Sequence, residues 1–164
     1  MATGKGSWLE EKLGELSLIL VEKNIGILHK WNTPIKKIKE RVFYSGQAPI
    51  DFIGMIYGKS IYIEAKSVLQ NDKISFAQVR QEQHEWLDKV EKLGGLAFVC
   101  VGFREDTIRT SDTLYLVPYS TWKRLPHTVN AKSIRKDQLD RYSSILWDKE
   151  IGWYISAIDQ ILVS

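Results

Sequence analysis

The sequence predicts an α/β domain, a central mixed sheet flanked by helices. Three observations carry this. Leu9, Leu13, Leu16 and Leu20 recur at helical spacing near the start of the chain. Ile50 to Tyr57 and Ser60 to Val68 are rich in β-branched and aromatic residues, and with Gly58-Lys59 between them they read as a β-hairpin with a two-residue turn. Leu96 to Phe103 is nearly continuous apolar sequence behind Gly94-Gly95, the pattern of a strand buried on both faces. A length of 164 residues suits one domain, 1–164, and the 44% hydrophobic and 26% charged fractions are those of a folded protein. A net charge of +3 excludes a polycation, so any nucleic-acid role has to come from local basic patches. The lone Cys100 excludes an internal disulfide framework and fits a reducing cytosol. It lies in an apolar run and reads as a core residue. No apolar stretch reaches membrane-spanning length, and Met1 to Gly6 carries no signal-peptide apolar region. A cytoplasmic protein without a membrane partner is expected.

In chain order, a helix is expected from Ser7 to Asn24. Ser7 and Glu10 match a capping box, and Asn24-Ile25-Gly26 is a stop signal. Gly26 to Asn32 reads as a strand, with His29 a surface or packing residue. The next nine residues, Thr33 to Arg41, hold the basic residues Lys36, Lys37, Lys39 and Arg41. They form either a solvated edge or a set of phosphate contacts. Val42 to Tyr44 is a short strand, and Ser45 to Ala48 an approach from which Ser45 can touch a sugar or phosphate. After the hairpin, a polar link from Leu69 to Lys73 leads into a helix from Ser75 or Phe76 to Lys92. Its stripe is Val79, Gln83, Trp86, Leu87, Val90 and Leu93. Gln83 is the polar member, either a satisfied core amide or a group that projects toward the hairpin. Arg104 to Asp112 reads as a charged hairpin loop and Thr113 to Val117 as a strand. Tyr119 to Leu125 reads as a short helix capped by Ser120, and Ser133 to Tyr142 as another. Ser144 to Ser164 reads as strands or irregular segments.

The hairpin carries the chemistry. With Gly58-Lys59 as the turn, opposed residues sum to 117, so Ile53 faces Glu64 and Asp51 faces Lys66. Asp51, Ile53, Glu64 and Lys66 then share one face, while Phe52, Ile56, Ile61, Ile63 and Ala65 form a core face. Asp51 and Glu64 become diagonal neighbours about 7–8 Å apart. Uncompensated buried charge is costly, so these residues must be wet, paired or metal-bound. One reading is an exposed sheet face with an Asp51–Lys66 cross-strand salt bridge. The other has the two carboxylates converging on a divalent cation.

Pro49-Ile50-Asp51 followed by Glu64-Ala65-Lys66 resembles the PD-(D/E)xK nuclease signature. Phosphodiester hydrolysis needs a hard cation to neutralise phosphate charge and acidify water, and a lysine beside it to orient or deprotonate that water. The element order is similar to the restriction-endonuclease-like fold. Within that fold, VFYSGQAPIDFIGMIYGKSIYIEAKS, the helix with QEQHEWL and the strand GGLAFVCVGF resemble the RecU-type Holliday junction resolvases. The resemblance covers Gly6 to Val117. It implies that Asp51, Glu64 and the Ala65 carbonyl bind Mg²⁺ or Mn²⁺, that Lys66 assists the water, and that Glu10 completes the acidic site. Gln83 matches a glutamine of the family's helix. It further implies a homodimer that nicks four-way DNA junctions symmetrically. Lys36, Lys37, Lys39, Arg41, Lys73 and Arg80 are the candidate backbone contacts. Two departures stand out: no long basic N-terminal extension, and a short segment from Lys36 to Arg41 where the family carries a protruding element. They point to a compact version, either phage-encoded or minimal, acting in a bacterial host cell. A restriction- or repair-type nuclease on duplex or flap DNA, and a non-catalytic DNA-binding module, are the alternatives.

Overall fold

The computed structural model describes residues 7–32, 35–38, 41–44, 48–69, 71–104, 112–154 and 156–159. Helix α1 (Ser7–Glu22) buries the expected stripe of Leu9, Leu13, Leu16 and Leu20 and packs on strand β1 (Gly26–Lys30). Strands β2 (Ile35–Ile38) and β3 (Arg41–Tyr44) then pair antiparallel in a small sheet of their own. The sequence reading had only the second of these as a strand. Lys36 and Lys37 lie on β2 and Arg41 opens β3, whereas Lys39 and Ser45 lie outside the described residues.

Strands β4 (Phe52–Ile56) and β5 (Lys59–Leu69) form the expected hairpin, with one correction. Phe52 pairs with Ile63 and Ile56 with Lys59, so Tyr57-Gly58, not Gly58-Lys59, makes the turn. Both turn residues have positive φ, 49° and 74°, as a type I′ turn requires. Glycine tolerates that conformation best, and here it takes the second turn position, the one it holds in Asn-Gly turns. Every partner therefore shifts by two residues. A shift of two leaves each side chain on its original face, so the split into a polar face and a core face survives. Gly54 packs so tightly on β1 that a Cβ there would collide with the Ile27 carbonyl oxygen.

Strand β6 (Lys73–Ser75), a 3₁₀ turn (Phe76–Gln78) and helix α2 (Gln81–Lys92) replace the single helix expected from residue 75. The break has a tertiary cause. Residues 73–75 pair with β9 (Ser133–Arg135), and Ser75 then caps the 3₁₀ turn by accepting from the Ala77 N–H. Leu93, expected in the α2 stripe, is 88% exposed beyond the helix end. Strands β7 (Leu96–Arg104) and β8 (Thr113–Pro118) are as expected, whereas the loop read between them falls largely outside the described residues. The helix read at Tyr119–Leu125 is two short ones, α3 (Tyr119–Trp122) and α4 (Leu125–Thr128). Pro118, not Ser120, stands at the first N-cap. The helix read at Ser133–Tyr142 is β9 followed by α5 (Lys136–Leu139). β10 (Ser144–Asp148) and β11 (Gly152–Trp153) follow.

The main sheet has seven strands in the order β1-β4-β5-β7-β8-β10-β11. β5 and β7 run parallel, which the return through α2 permits, and the other neighbours are antiparallel. This is the expected mixed sheet flanked by helices. The α1 face buries Leu9, Leu13, Phe52, Ile61, Ile63 and Cys100. The α2 face buries Val68, Leu87, Val90, Val99 and Val101. Cys100 is a core residue, and burial pushes its thiol up to about 12. Among the described residues no helix is long and apolar enough to cross a membrane.

Candidate active site

Asp51 occupies a bend just before β4. Two bonds hold it there: its carbonyl accepts from the Trp31 N–H at 2.7 Å, and its Oδ2 accepts from the Ala65 N–H at 2.8 Å. Extending the β4–β5 register places Asp51 opposite Glu64, not opposite Lys66. The cross-strand Asp51–Lys66 bridge is therefore not formed. Lys66 Nζ instead lies 2.8 Å from Glu64 Oε1, two residues back along the same face of β5.

Glu64 is 1% exposed. Its Oε1 takes the Lys66 ammonium and a short hydrogen bond from Gln83 Nε2. Its Oε2 is buried with no hydrogen-bond partner among the described residues. Burial first, and then the neighbouring Asp51 charge, push the carboxyl up to about 7, against an opposing pull from Lys66. Gln83 satisfies both of the readings open at the sequence level. It is 5% exposed and fully engaged, and it projects into the site. Its Oε1 accepts from Lys66 Nζ at 3.1 Å and from the Arg80 N–H at 2.9 Å. The second bond is a helix cap, because Gln83 stands three residues after the N-cap Arg80. One amide thus ties the start of α2 to Lys66 and Glu64.

A buried carboxylate oxygen with no donor is costly unless something positive meets it. Here the free oxygen belongs to an all-oxygen set beside a second carboxylate, which is the donor chemistry of a hard divalent cation. The residues present fit such an ion. Ala65 turns its side chain to the α1 core and its N–H to Asp51. In a strand the N–H and C=O of one residue leave by the same edge, so its carbonyl is directed to the Asp51 side.

The remaining expected residues are placed as follows. Glu10 Oε2 lies 2.7 Å from Lys30 Nζ, with both side chains partly exposed. It does not join Asp51 and Glu64, since among the described residues no three acidic, histidine or cysteine side chains converge. Arg80 is at the site edge, at the N-cap of α2. Lys73 is exposed on β6, paired in register with Arg135. The sequence reading missed the Trp31–Trp86 contact, with ring centroids 5.8 Å apart and planes at 77°. Trp86 had been assigned to the core stripe, yet it is 39% exposed. The one available signal was alternation along β1, which puts residue 31 on the same sheet face as Asp51.

The chain is 26% identical over 177 residues to the Holliday junction resolvase RecU of Bacillus cereus strain B4264, covering 99% of this chain and 86% of that one. It is 26% identical over 175 residues to the Holliday junction resolvase RecU of Bacillus cytotoxicus, at 98% and 86% coverage. The solved structure of Hjc, a Holliday junction resolvase of Archaeoglobus fulgidus, overlays with a TM-score of 0.42 and 15% identity over 71% of this chain and 78% of that one, a partial likeness. The family model of RecU, Recombination protein U, matches residues 4–160, and the chain belongs to that family.

Proposed function

We propose that this protein is a metal-dependent, structure-selective DNA endonuclease that resolves four-way junctions by paired symmetric hydrolysis. The observation that carries the reading is Glu64: a buried carboxylate with one oxygen tied to Lys66 and Gln83 and the other unpartnered beside Asp51. Membership of the RecU family and the printed names of the relatives support the substrate class.

Asp51, Glu64 and the Ala65 carbonyl would hold Mg²⁺, with Mn²⁺ able to substitute. The ion supplies charge neutralisation at the phosphate and a more acidic water. Asp51 is preset for this role, because its Oδ2 is already held by the Ala65 N–H. Lys66 orients the attacking water and offsets charge on the phosphate. Gln83 holds Lys66 and Glu64 in one geometry. Water adds to phosphorus, the 3′ oxygen leaves, and the product keeps a 5′-phosphate and a ligatable nick. Glu10 acts from outside this set, through Lys30. Arg80 contacts the DNA backbone at the site, Lys73 contacts it from β6, and Lys36, Lys37, Lys39 and Arg41 are the other backbone contacts. Two copies, each cutting one strand, match the two-fold symmetry of a junction.

The test is cleavage of an immobile four-way junction with and without Mg²⁺, beside linear duplex of the same arms. Paired symmetric nicks in the junction alone are expected. Equal cutting of both substrates would move the protein to a restriction- or repair-type nuclease. Binding without cutting, with Mn²⁺ tried as well, would leave a non-catalytic DNA-binding module.

A further inference from the structure

A pocket of about 300 Å³ opens beside the carboxylate pair, lined by Ala48, Pro49, Arg80, Glu82, Gln83 and Trp86. Two of its lining residues tie it to the site: Gln83 bonds Glu64, and Pro49 lies two residues before Asp51. Its volume is at the lower end of small-molecule pockets, room for one flat heterocycle rather than a run of chain. Trp86 stands three residues after Gln83 on α2, so the two are neighbours on the helix surface. Trp86 is 39% exposed, and the Trp31 ring meets its ring edge-on. The Trp31 backbone also anchors Asp51, so stacking surface and carboxylate are held by one strand end. Lys89 Nζ lies 5.7 Å from the Trp86 ring centre, and Arg80 is one of the residues that line the pocket. An aromatic face with cations beside it and a carboxylate, Glu82, on its rim suits a nucleotide: stacking for the base, charge for the phosphate, an acceptor for an amino edge.

We infer that this pocket takes one unstacked nucleobase flanking the scissile phosphate, with Trp86 as the stacking surface. The inference rests on the nuclease reading above and extends it. In an open four-way junction a base at the branch point lacks one stacked neighbour and is more easily extruded than a base inside a duplex. Holding that base sets the position of the adjacent phosphate over Asp51 and Glu64. Choice of cleavage position then depends on which nucleotide enters the pocket.

The experiment is a cycle between protein and DNA. Cleavage of an immobile junction is measured for wild type, Trp86→Leu and Trp86→Phe, each on intact DNA and on junctions carrying one abasic residue at successive positions around the cut. Trp86→Leu is expected to lower kcat/KM about tenfold on intact DNA, the equivalent of about 1.4 kcal/mol of lost stacking. One abasic position should erase that difference, and Trp86→Phe should retain most of the activity. A merely destabilised variant would lose activity on intact and abasic junctions alike, and losses that multiply at every position overturn the inference. Wild-type rates for Trp86→Leu overturn it too, while leaving the nuclease reading intact. If wild type cuts only duplex, the cycle is run on that duplex. A protein that neither cuts nor binds either DNA overturns both readings.

Discussion

The two faces of β5 do different work. On the α1 side, Ile61 and Ile63 are buried and Ala65 is packed among leucines and Phe52. On the α2 side, Tyr62, Glu64 and Lys66 alternate with them, and Glu64 is as deeply buried as its apolar neighbours. On the α1 face Ile61, Ile63 and Ala65 join an apolar core. The α2 face carries Glu64 with an unpartnered oxygen, which is destabilising in the absence of a cation. One strand can hold both because successive side chains point to opposite faces.

The largest separation of the two faces should come from Glu64→Ala and Lys66→Ala. Each is expected to reduce junction cleavage by about 10³-fold or more while the protein stays folded and binds junctions. Gel-shift and single-turnover cleavage on the same preparations read the two quantities. Near-normal cleavage by either variant would remove the site assignment.

The opposite result is expected across the strand. Ile63→Ala should destabilise by about 3 kcal/mol through lost burial and a cavity, measured by urea unfolding. The rate per folded molecule should change little, and a loss like that of Lys66→Ala would mean the two faces are not separable.

A third test uses pH. Glu64 has its folded-state pKa raised from 4.5 to about 7, so the folded protein retains a proton that the unfolded chain releases. Metal-free stability should therefore fall as pH rises from about 4.5 to about 7 and level off above that. Glu64→Gln removes the ionisation. Its stability should exceed that of wild type by on the order of 1–3 kcal/mol at pH 8 and show no advantage near pH 4. Added Mg²⁺ at pH 8 should raise the melting temperature of wild type and not of Glu64→Gln. A pH-independent difference between the two proteins would contradict the buried-charge account.

The smallest effect is expected at Glu10, whose carboxylate serves an exposed pair with Lys30. Glu10→Gln should change stability by less than about 1 kcal/mol, and cleavage should stay within about tenfold of wild type. A loss on the scale of Glu64→Ala would place Glu10 in the metal set.

Much of this was legible in the sequence because it rests on local periodicity. The leucine spacing of α1, the continuous apolar run of β7 and the separation of Asp51, Glu64 and Lys66 from Phe52, Ile61 and Ile63 follow from side-chain direction along one element. The error in hairpin register did no harm to that separation, because it was a slip of two residues. What only the tertiary structure decided are pairings between segments far apart in the chain. Lys66 pairs with Glu64 rather than Asp51 because the turn conformation moves the strands. The helix expected from residue 75 is broken because residues 73–75 are claimed by β9, some sixty residues on. Trp86 leaves the core and meets Trp31, far back in the chain, and Glu10 finds Lys30 because α1 packs along β1. Periodicity within a segment sets which way a side chain points; what it meets there depends on contacts between distant segments, which periodicity does not encode.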